Sequence, residues 1–228
     1  MIRRVKMKLS EQTVSILKNF SGINQNILVK HGAELRTMST MKNILGEAVI
    51  PESFPRDFGI YDLNEFLGVL TLVKDPELEF DNDSYMTVNS GRSKIKYFYS
   101  DPSILTTPPE TFNAPECDVN IEVSEGVLDQ ILKASAVMQL PDIIIKGETQ
   151  STFIEATDLK NATSNKFTLD ITNTDADYYP EFNFHFKSDN LKMIKGNYKL
   201  SASTAAGVSN WLGKEASYWI AMEAKADG

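Results

Sequence analysis

The chain has 228 residues, of which 42% are hydrophobic and 24% charged, and its 23 Lys and Arg against 31 Asp and Glu give a formal charge of −8. This composition is typical of globular proteins and excludes wholesale disorder, and the length suits one large domain or two ordinary ones. No stretch approaches the ~18 consecutive apolar residues of a membrane-spanning helix, and polar residues follow the basic start at Met1–Lys6 where a secretory signal would be apolar. We therefore expect a cytosolic protein that does not bind membranes.

Cysteine and histidine are too scarce for several kinds of site. Cys117 is the only cysteine, which excludes an intramolecular disulfide, and only His31 and His185 accompany it as soft metal ligands. A structural zinc site needs about four such ligands. We expect no metal and no other cofactor.

Two helices are predicted in the first half of the chain. Apolar residues recur at helical spacing from Ser10 to Phe20, and the serine is placed to accept a hydrogen bond as the N-cap. The second helix is predicted from Asp62 to Lys74, because an aspartate and a glutamate in capping-box spacing open it and an Asp-Pro pair follows it. Alternation of apolar and basic residues over Arg92–Tyr99 then predicts a strand.

A change in composition separates the two halves. Pro, Thr and Ser dominate Ser100–Cys117, where the prolines exclude a packed helix or a central strand. Beyond it the elements begin again, with a strand at Val119–Val123, a helix from Ser124 to Met138, further strands and a short helix at Asp189–Ile194. We predict an α+β unit used twice, as an N-terminal domain over residues 1–104, a linker over 105–117 and a C-terminal domain over 118–228. A single continuous domain is the alternative.

Motifs for catalysis are missing from the sequence. No Gly-x-Gly-x-x-Gly occurs, and we interpret Gly207–Gly213, which resembles a phosphate loop only loosely, as a hairpin turn. His185 lies between two phenylalanines on a predicted strand with no nucleophile motif nearby. The acidic run Asp75–Asp83 is interpreted as a solvated turn. We predict that the chain is not an enzyme.

Lysines recur on the polar faces or at the ends of the predicted helices. Two interpretations are open: the lysines keep exposed helices in solution, or the architecture gathers them into a surface that contacts phosphates. They are Lys8, Lys18, Lys74 and Lys133 on the three longer helices, and Lys192 and Lys195 at the short one. The arrangement of the helices decides between the two interpretations.

Several sequence blocks keep a fixed order along nearly the whole chain, from Met7 to about Ala224. They are Met7-Lys8-Leu9-Ser10, Leu17-Lys18-Asn19-Phe20 with Ile23-Asn24, Ile60-Tyr61-Asp62-Leu63-Asn64 with Phe66-Leu67-Gly68, Arg92-Ser93, Asp101-Pro102-Ser103 and Gly196-Asn197-Tyr198-Lys199-Leu200. In these blocks the chain resembles the DNA sliding clamps, or polymerase processivity factors, of T-even-type bacteriophages. It departs from the family's pattern at Met1–Lys6, which precede the usual start, over Glu34–Arg56, and at Ala136, where the family has a second basic residue after Lys133.

The resemblance implies a DNA-clamp fold in which two similar domains per subunit close head to tail into a trimeric ring. Helices would line a hole wide enough for duplex DNA and antiparallel sheets would form the outer wall. The six lysines named above would then face the DNA and touch phosphates without reading bases. A trimer of chains at −8 each would carry −24, and duplex DNA bears about one negative charge per ~1.7 Å, so retention on DNA must be topological.

Ring closure needs sheet edges that pair between subunits, because open edges otherwise promote aggregation. We place one edge at Arg92–Tyr99 and the other near Asn165–Thr172. The predicted interface packs Ile95, Tyr97 and Tyr99 of one subunit against Phe167, Leu169 and Ile171 of the next. Burial of these side chains within one subunit is the alternative.

The resemblance also implies partners in the cytoplasm of an infected bacterial host. They are double-stranded DNA bound without sequence preference, the replicative DNA polymerase, a clamp-loading ATPase and late-transcription factors. A pocket for partner peptides needs exposed apolar side chains beside the linker, and the candidates are Ile104, Leu105, Phe112 and Met222. Anchoring of the linker to its own domain is the other interpretation of these residues. The alternative function from a different class is a β-rich structural or virion assembly protein that does not enclose DNA.

Overall fold

Antiparallel strands and a few short helices make up both halves of the chain. A computed structural model describes residues 5–148, 151–172 and 181–224. Within them the chain forms three α-helices and sixteen strands, and it divides into two units, Met1–Phe112 and Asn113–Gly228. The predicted α+β class is confirmed. The division falls within the segment predicted as a linker, whose exact limits stay a prediction.

Over residues 5–112, the first unit contains two α-helices and eight strands. In chain order they are β1 (Val5–Met7), α1 (Glu11–Ser21), β2 (Ile27–Val29), β3 (Gly32–Met38), β4 (Ile44–Phe54), β5 (Phe58–Ile60), α2 (Leu63–Thr71), β6 (Glu77–Phe80), β7 (Tyr85–Ser90) and β8 (Ser93–Phe98), followed by a 3-10 turn at Pro102–Ile104. One antiparallel sheet has the order β1-β6-β7-β8. Strand β3 pairs with β4, and β2 pairs with β5.

Helix α1 begins where the sequence predicts it, with Ser10 as the N-cap. The Ser10 Oγ accepts a hydrogen bond from Thr13 N at 3.2 Å, which satisfies one of the free amides of the first turn. Glu52 of β4 adds a second cap from a distant part of the chain, because its carboxylate accepts hydrogen bonds from Ser10 N and Thr13 Oγ1. The helix buries Ile16 and Phe20 completely.

Helix α2 begins as predicted and ends earlier than predicted. The Asp62 Oδ1 accepts a hydrogen bond from Glu65 N at 3.0 Å, so the aspartate is the N-cap. The helix ends at Thr71 rather than at Lys74, and Asp75 then adopts a left-handed φ of 53°. Lys74 therefore lies in the connection to β6, and its direction is set by that turn rather than by the helix.

Helix α2 packs on one face of the β1-β6-β7-β8 sheet, and α1 packs on α2 and on β4. Leu78, Val88 and Ile95 lie directly opposite one another on β6, β7 and β8, so they share a face. Tyr97 is on the same face of β8, and its ring centroid is 5.2 Å from that of Phe66 in α2. Helix packing against this face explains why the alternation of apolar residues predicts these strands.

The segment after the 3-10 turn is tied to the first unit. Leu105 is only 9% exposed, Thr106 N donates to Asn26 Oδ1 at 3.0 Å, and Arg36 Nη1 donates to the Pro109 carbonyl at 3.0 Å. Residues 105–109 therefore belong to the first unit in their hydrogen bonding, although their composition is typical of a linker.

In the second unit, the described residues contain one α-helix and eight strands. They are β9 (Val119–Val123), α3 (Glu125–Met138), β10 (Asp142–Glu148), β11 (Ser151–Thr157), β12 (Phe167–Asp170), β13 (Phe182–Lys187), a 3-10 turn at Ser188–Leu191, β14 (Tyr198–Ser203), β15 (Val208–Leu212) and β16 (Ser217–Ala221). One antiparallel sheet has the order β12-β11-β10-β13. The strands β16, β15, β14 and β9 pair in that order.

Helix α3 spans the predicted range and is capped at both ends. Ser124 Oγ accepts from Val127 N at 3.4 Å, and Gln139 at the other end adopts a left-handed φ of 55°. The helix packs on β11 and β12 and buries Leu128 and Ile131. It is thus the helical layer over the outer part of the sheet.

Three sequence interpretations are wrong in detail. Gly207–Gly213 is not a turn but contains β15, in which Trp211 is completely buried. The predicted helix at Asp189–Ile194 is a 3-10 turn at Ser188–Leu191, so among the described residues the second unit has one α-helix rather than two. The acidic run Asp75–Asp83 contains strand β6, because its apolar residues enter the core.

No helix in the described residues is both long and apolar enough to cross a membrane.

Candidate nucleic-acid interface

A groove between α1 and α2 brings two of the predicted lysines together. Lys8, in the connection from β1 to α1, and Lys18, in the last turn of α1, both line it. The groove has a volume of about 680 Å³, and its apolar lining includes Leu9 and Leu67. Its acidic residues are Glu11 and Asp75. The groove therefore brings together lysines from two different segments of the chain.

Three of the six predicted lysines belong to the first unit, and these three are exposed and have no acidic partner nearby. Among the described residues, no Asp or Glu oxygen lies within 4.0 Å of the Nζ of Lys8, Lys18 or Lys74. Ser90 Oγ donates a hydrogen bond to the Lys74 carbonyl, which holds the backbone at this position. Their ammonium groups are therefore available to an anion.

The other three predicted lysines, in the second unit, differ because each of them contacts an aspartate. Lys133 Nζ lies 2.6 Å from Asp129 Oδ2, one helical turn away on α3. Lys195 Nζ, from the segment before β14, lies 3.6 Å from Asp129 Oδ1. Lys192 Nζ lies 2.5 Å from Asp189 Oδ1. One carboxylate therefore holds two of the three ammonium groups.

Asp129 is charged at neutral pH. The hydrogen bond from Lys133 is the main cause that lowers the pKa of its carboxyl group, and Lys195 lowers it further. The spacing of Asp129 and Lys133, four residues apart on a predicted helix, is readable from the sequence. The contact from Lys195 is not, because it depends on where the chain returns after β13.

Two buried phenols hold the segment that carries Lys192 and Lys195. Tyr198 Oη donates to the Ile194 carbonyl at 2.5 Å, and Ile194 N donates to Tyr218 Oη at 3.2 Å. Burial raises the pKa of Tyr218 to about 12 and that of Tyr198 further still. Both phenols therefore stay protonated and keep this irregular segment fixed beside α3.

The exposed face of α3 is apolar rather than basic beyond Lys133. Ala136 is exposed, and Val137 is 83% exposed. Lys133 is thus followed on this face by apolar side chains rather than by a second cation.

Strand β8 is the outer strand of its sheet, and its free edge can be read from one hydrogen bond. Tyr99 N donates to the Ser84 carbonyl at 2.9 Å. Because alternate residues of an antiparallel strand bond to the same neighbour, the N–H groups of Lys94, Lys96 and Phe98 point away from β7. No other strand of the described part of this unit covers them.

Strand β12 is an outer strand of the same kind in the second unit. Ile171 N donates to the Thr152 carbonyl at 2.8 Å, so the N–H groups of Thr168 and Asp170 point away from β11. Phe167 and Leu169 lie on the face that packs on α3 and are half-buried, and Ile171 follows them. Both segments named as ring-closing edges are thus outer strands.

The tyrosines of the predicted interface already pack within their own unit. Tyr97 contacts Phe66 edge to face and its hydroxyl donates to the Asp62 carbonyl at 3.3 Å, while the ring of Tyr99 lies 5.3 Å from that of Phe58. Burial raises the pKa of each tyrosine to about 12. Packing inside one subunit therefore accounts for part of their burial, as the alternative interpretation has it, and Ile95 remains half-buried beside them.

The four residues named for a peptide pocket do not share one environment. Leu105 is buried beside Gly59, where an added Cβ would come within 2.7 Å of Leu105 Cδ1. It anchors its own unit and is not an exposed pocket residue, which corrects the prediction. Ile104 is 60% and Phe112 39% exposed, whereas Met222 belongs to the second unit.

Among residues 5–148, 151–172 and 181–224, no group of three or more His, Cys, Asp or Glu is placed to hold a metal ion. His185 contacts Asp142 Oδ1 through Nε2 at 2.8 Å, and Lys187 donates to the same oxygen. With Leu159 N bonded to Oδ2 at 2.8 Å, this carboxylate is fully used in holding β10, β13 and the turn after β11 together.

Comparison with known proteins agrees with this geometry. Residues 8–106 match the family described as DNA polymerase processivity factor, and residues 120–224 match the one described as gp45 sliding clamp, C terminal. The chain is 37% identical over 223 residues to the sliding clamp of Vibrio phage KVP40, covering 96% of this chain and 100% of that protein. It is 32% identical over 222 residues to the sliding clamp of Enterobacteria phage T4, covering 96% and 97%.

The fold is shared with more distant solved structures. The structure described as the C-terminal region of FEN-1 bound to A. fulgidus PCNA superposes with a TM-score of 0.73 at 15% identity, covering 98% of this chain and 99% of that one. The predicted DNA-clamp fold and the family resemblance are both confirmed.

Proposed function

The chain belongs to the sliding-clamp family of T4-like phages, which are DNA polymerase processivity factors, and we propose that it acts as a trimeric ring around duplex DNA. Processivity factors hold a polymerase on its template and are not enzymes, so the prediction that the chain lacks catalytic activity is confirmed by the family. Membership also decides against the structural or virion alternative.

The observation that carries the proposal is the pair of unpaired outer strands, one in each unit. A strand edge with free N–H and C=O groups is a template for pairing with another chain. In the proposed ring, β8 of one subunit pairs antiparallel with β12 of the next, which covers both of these edges.

The side chains of the two strands suit this pairing. The outward-bonding residues of β8 and β12 would lie opposite one another, and side chains of opposed residues share a face. Lys94 and Lys96 would then lie on the face of Asp170, and Ile95 on the face of Leu169 and Phe167. Opposite charges would then lie together on one face of the joined sheet, and apolar side chains would lie together on the other face.

Sedimentation equilibrium tests the assembly. Three chains of 25.5 kDa give 76.5 kDa, and we expect this limiting mass at high concentration. A monomer at all accessible concentrations would contradict the ring.

Retention on DNA tests the function. A ring loaded onto nicked circular DNA by the phage clamp-loading ATPase is expected to stay bound through gel filtration and to be lost once a restriction enzyme linearises the circle. Loss at the same rate from circular and linear DNA would mean that the protein does not encircle DNA.

The proposal also includes the proteins that would bind to the ring. The exposed Ile104 and Phe112 are the candidates that remain for a surface that binds a polymerase peptide, and late-transcription factors and the clamp loader would use the same ring in the cytoplasm of the infected host. Ile104→Glu is expected to weaken binding of a polymerase C-terminal peptide at least about tenfold, since a buried apolar contact of this size is worth at least ~1.4 kcal/mol. Unchanged affinity would remove Ile104 from the surface.

A further inference from the structure

The six lysines are not equivalent, because the two units present them differently. In the first unit, Lys8 and Lys18 line one groove and contact no carboxylate within 4.0 Å. In the second unit, Lys133 and Lys195 converge on Asp129 from two separate segments.

We propose that Asp129 acts as a built-in counter-charge that keeps the second unit from gripping DNA, so that phosphate contacts fall mainly on the first unit. This inference rests on the proposed function, since it assumes that both helix-bearing surfaces face DNA. The partner is the phosphate backbone of duplex DNA.

The geometry sets the competition between the two anions. A phosphate oxygen that contacts Lys133 must share an ammonium group already 2.6 Å from Asp129 Oδ2. The carboxylate would then lie within a few ångströms of the phosphate, and like charges at that range repel. Lys195 faces the same carboxylate, so one acidic side chain weakens two phosphate contacts.

The backbone places both lysines close to the aspartate. Lys133 is on the same helix as Asp129, one turn away. Lys195 follows Ile194, whose N–H and carbonyl are both bonded to the buried phenols of Tyr218 and Tyr198. The positions of both lysines along the backbone therefore keep their ammonium groups within reach of Asp129.

The first unit has acidic residues too, but they are placed differently. Glu11 and Asp75 line the groove, and neither contacts Lys8 or Lys18 within 4.0 Å among the described residues. Glu11 lies in the first turn of α1, where it faces the positive end of the helix dipole. An incoming phosphate therefore meets ammonium groups that no carboxylate holds.

Phosphate contacts that are unequal between the two units suit a ring that must slide along DNA. Phosphate contacts that are few and individually salt-labile let the protein move along the duplex. A ring with strong contacts in all six units would have to break more of them at each step.

The test compares charge-matched variants of the whole protein. Binding of a fluorescent 40-base-pair duplex is followed by anisotropy from 25 to 200 mM salt for wild type, Lys8→Gln/Lys18→Gln, Lys133→Gln/Lys195→Gln and Asp129→Asn. The two double variants remove the same charge, so any difference between them reports where the phosphates bind. Glu116→Gln, at an exposed acid of the second unit with no ion pair among the described residues, controls for the charge that Asp129→Asn removes.

We expect the first double variant to weaken binding about tenfold at 50 mM salt and to lower the slope of log affinity against log salt by about one or more. The second double variant should change affinity less than about twofold. Asp129→Asn should strengthen binding about threefold or more and steepen the slope, whereas Glu116→Gln should not. Equal effects of the two double variants, or no gain from Asp129→Asn beyond that of Glu116→Gln, would overturn the proposal.

A second duplex separates this inference from the proposed function. Streptavidin on both biotinylated ends prevents a ring from threading, so binding should be lost if the protein encircles DNA. Undiminished binding to the blocked duplex would contradict encirclement, while the comparison of variants on the open duplex would still show which unit contacts the phosphates.

Discussion

Glu52 is a residue whose role depends on its place in the fold. Burial would raise the pKa of its carboxyl group, but the hydrogen bonds from Thr13 and Ser10 outweigh that effect and the pKa lies below its ordinary value of 4.5. A carboxylate at the amino-terminal end of α1 also faces the positive end of the helix dipole. Glu52 thus fixes the start of the helix that carries Lys18.

Glu52→Gln is expected to destabilise the first turn of α1 by about 1 kcal/mol, because a neutral amide accepts weaker hydrogen bonds than a carboxylate. Hydrogen exchange of the Thr13 and Val14 amides should then speed up about fivefold at pH 7. A depressed pKa means that the stabilisation is fully present above pH 4.5 and is lost as the pH falls through the lower, folded value. The difference between variant and wild type should therefore shrink below about pH 4.

Glu110→Gln provides the matched control for this prediction, since Glu110 is an exposed acid of the same unit. It should leave exchange in α1 unchanged at every pH. Equal exchange of the first-turn amides in Glu52→Gln and wild type at pH 7 would show that Ser10 alone caps the helix.

Asp142 has the corresponding role in the second unit. Burial would raise the pKa of its carboxyl group, but hydrogen bonds from Lys187, Leu159 and His185 hold it below its ordinary value. Asp142→Asn should lower the free energy of unfolding by about 3 kcal/mol, because breaking a buried charge pair leaves its partner poorly compensated. Lys187 reaches solvent, which places the expected loss at the low end of the range for buried pairs.

Urea denaturation at pH 7 and constant protein concentration measures this loss. Lys187→Met, which removes the cation and keeps the apolar stem, should cost less than Asp142→Asn because His185 and Leu159 still bond to the carboxylate. A midpoint for Asp142→Asn equal to that of wild type would show that the cluster does not stabilise the unit.

The sequence predicts some of these residues and not others. Ser10 and Asp62 are predicted as N-caps because a cap and its partner lie within three residues. Glu52 and Asp142 were missed because their partners lie far away along the chain. Such pairs depend on strand register, which a single sequence does not reveal.

At the level of elements, the predictions succeed where periodicity is long and fail where it is short. Helices α1 and α3 are predicted within a residue or two, because several turns of apolar spacing define them. The segment of β15 is interpreted as a turn from its flanking glycines, whereas the strand pairs with β14 and β16 and buries Trp211. Lys74 was placed on α2 because no residue in the sequence marks the earlier end at Thr71.

The free edge of β8 leads to a prediction about this strand. Lys96→Pro removes an N–H that points away from β7, so it should leave the sheet of its own unit intact while it blocks pairing with a second chain. Lys96→Ala removes the same side chain and its contact with the Tyr85 ring but keeps the N–H. We expect the proline variant to raise the concentration for half-assembly of the trimer at least about tenfold relative to the alanine variant.

Analytical ultracentrifugation measures assembly for both variants, and circular dichroism checks that each is folded. If the proline and alanine variants assemble equally well, β8 does not pair through its backbone and the ring closes elsewhere.

At the level of the whole molecule, charge and topology must be considered together. A trimer of chains at −8 each carries −24, and the acidic groups are concentrated in the second half: residues 1–114 have 13 basic and 14 acidic groups, and residues 115–228 have 10 and 17. Such a particle is repelled by DNA at long range. The six lysines proposed to face DNA act only within about a Debye length, which is about 10 Å at 0.1 M salt.

This imbalance predicts how salt affects the two ways of binding DNA. Direct binding to an open linear duplex depends on lysine–phosphate contacts and should weaken steeply with salt. Escape of a ring from a closed circle requires opening of a subunit interface instead. The half-life of the ring on the circle should therefore change less than about threefold between about 50 and 300 mM salt. Over the same range, a single lysine–phosphate contact would lower the binding affinity about fivefold. A fluorescent clamp loaded on nicked circles and then chased with unlabelled clamp gives that half-life, and Lys8→Gln/Lys18→Gln should leave it unchanged while weakening binding to linear DNA. A half-life that falls in parallel with linear binding would mean that charge, and not closure of the ring, holds the protein on DNA.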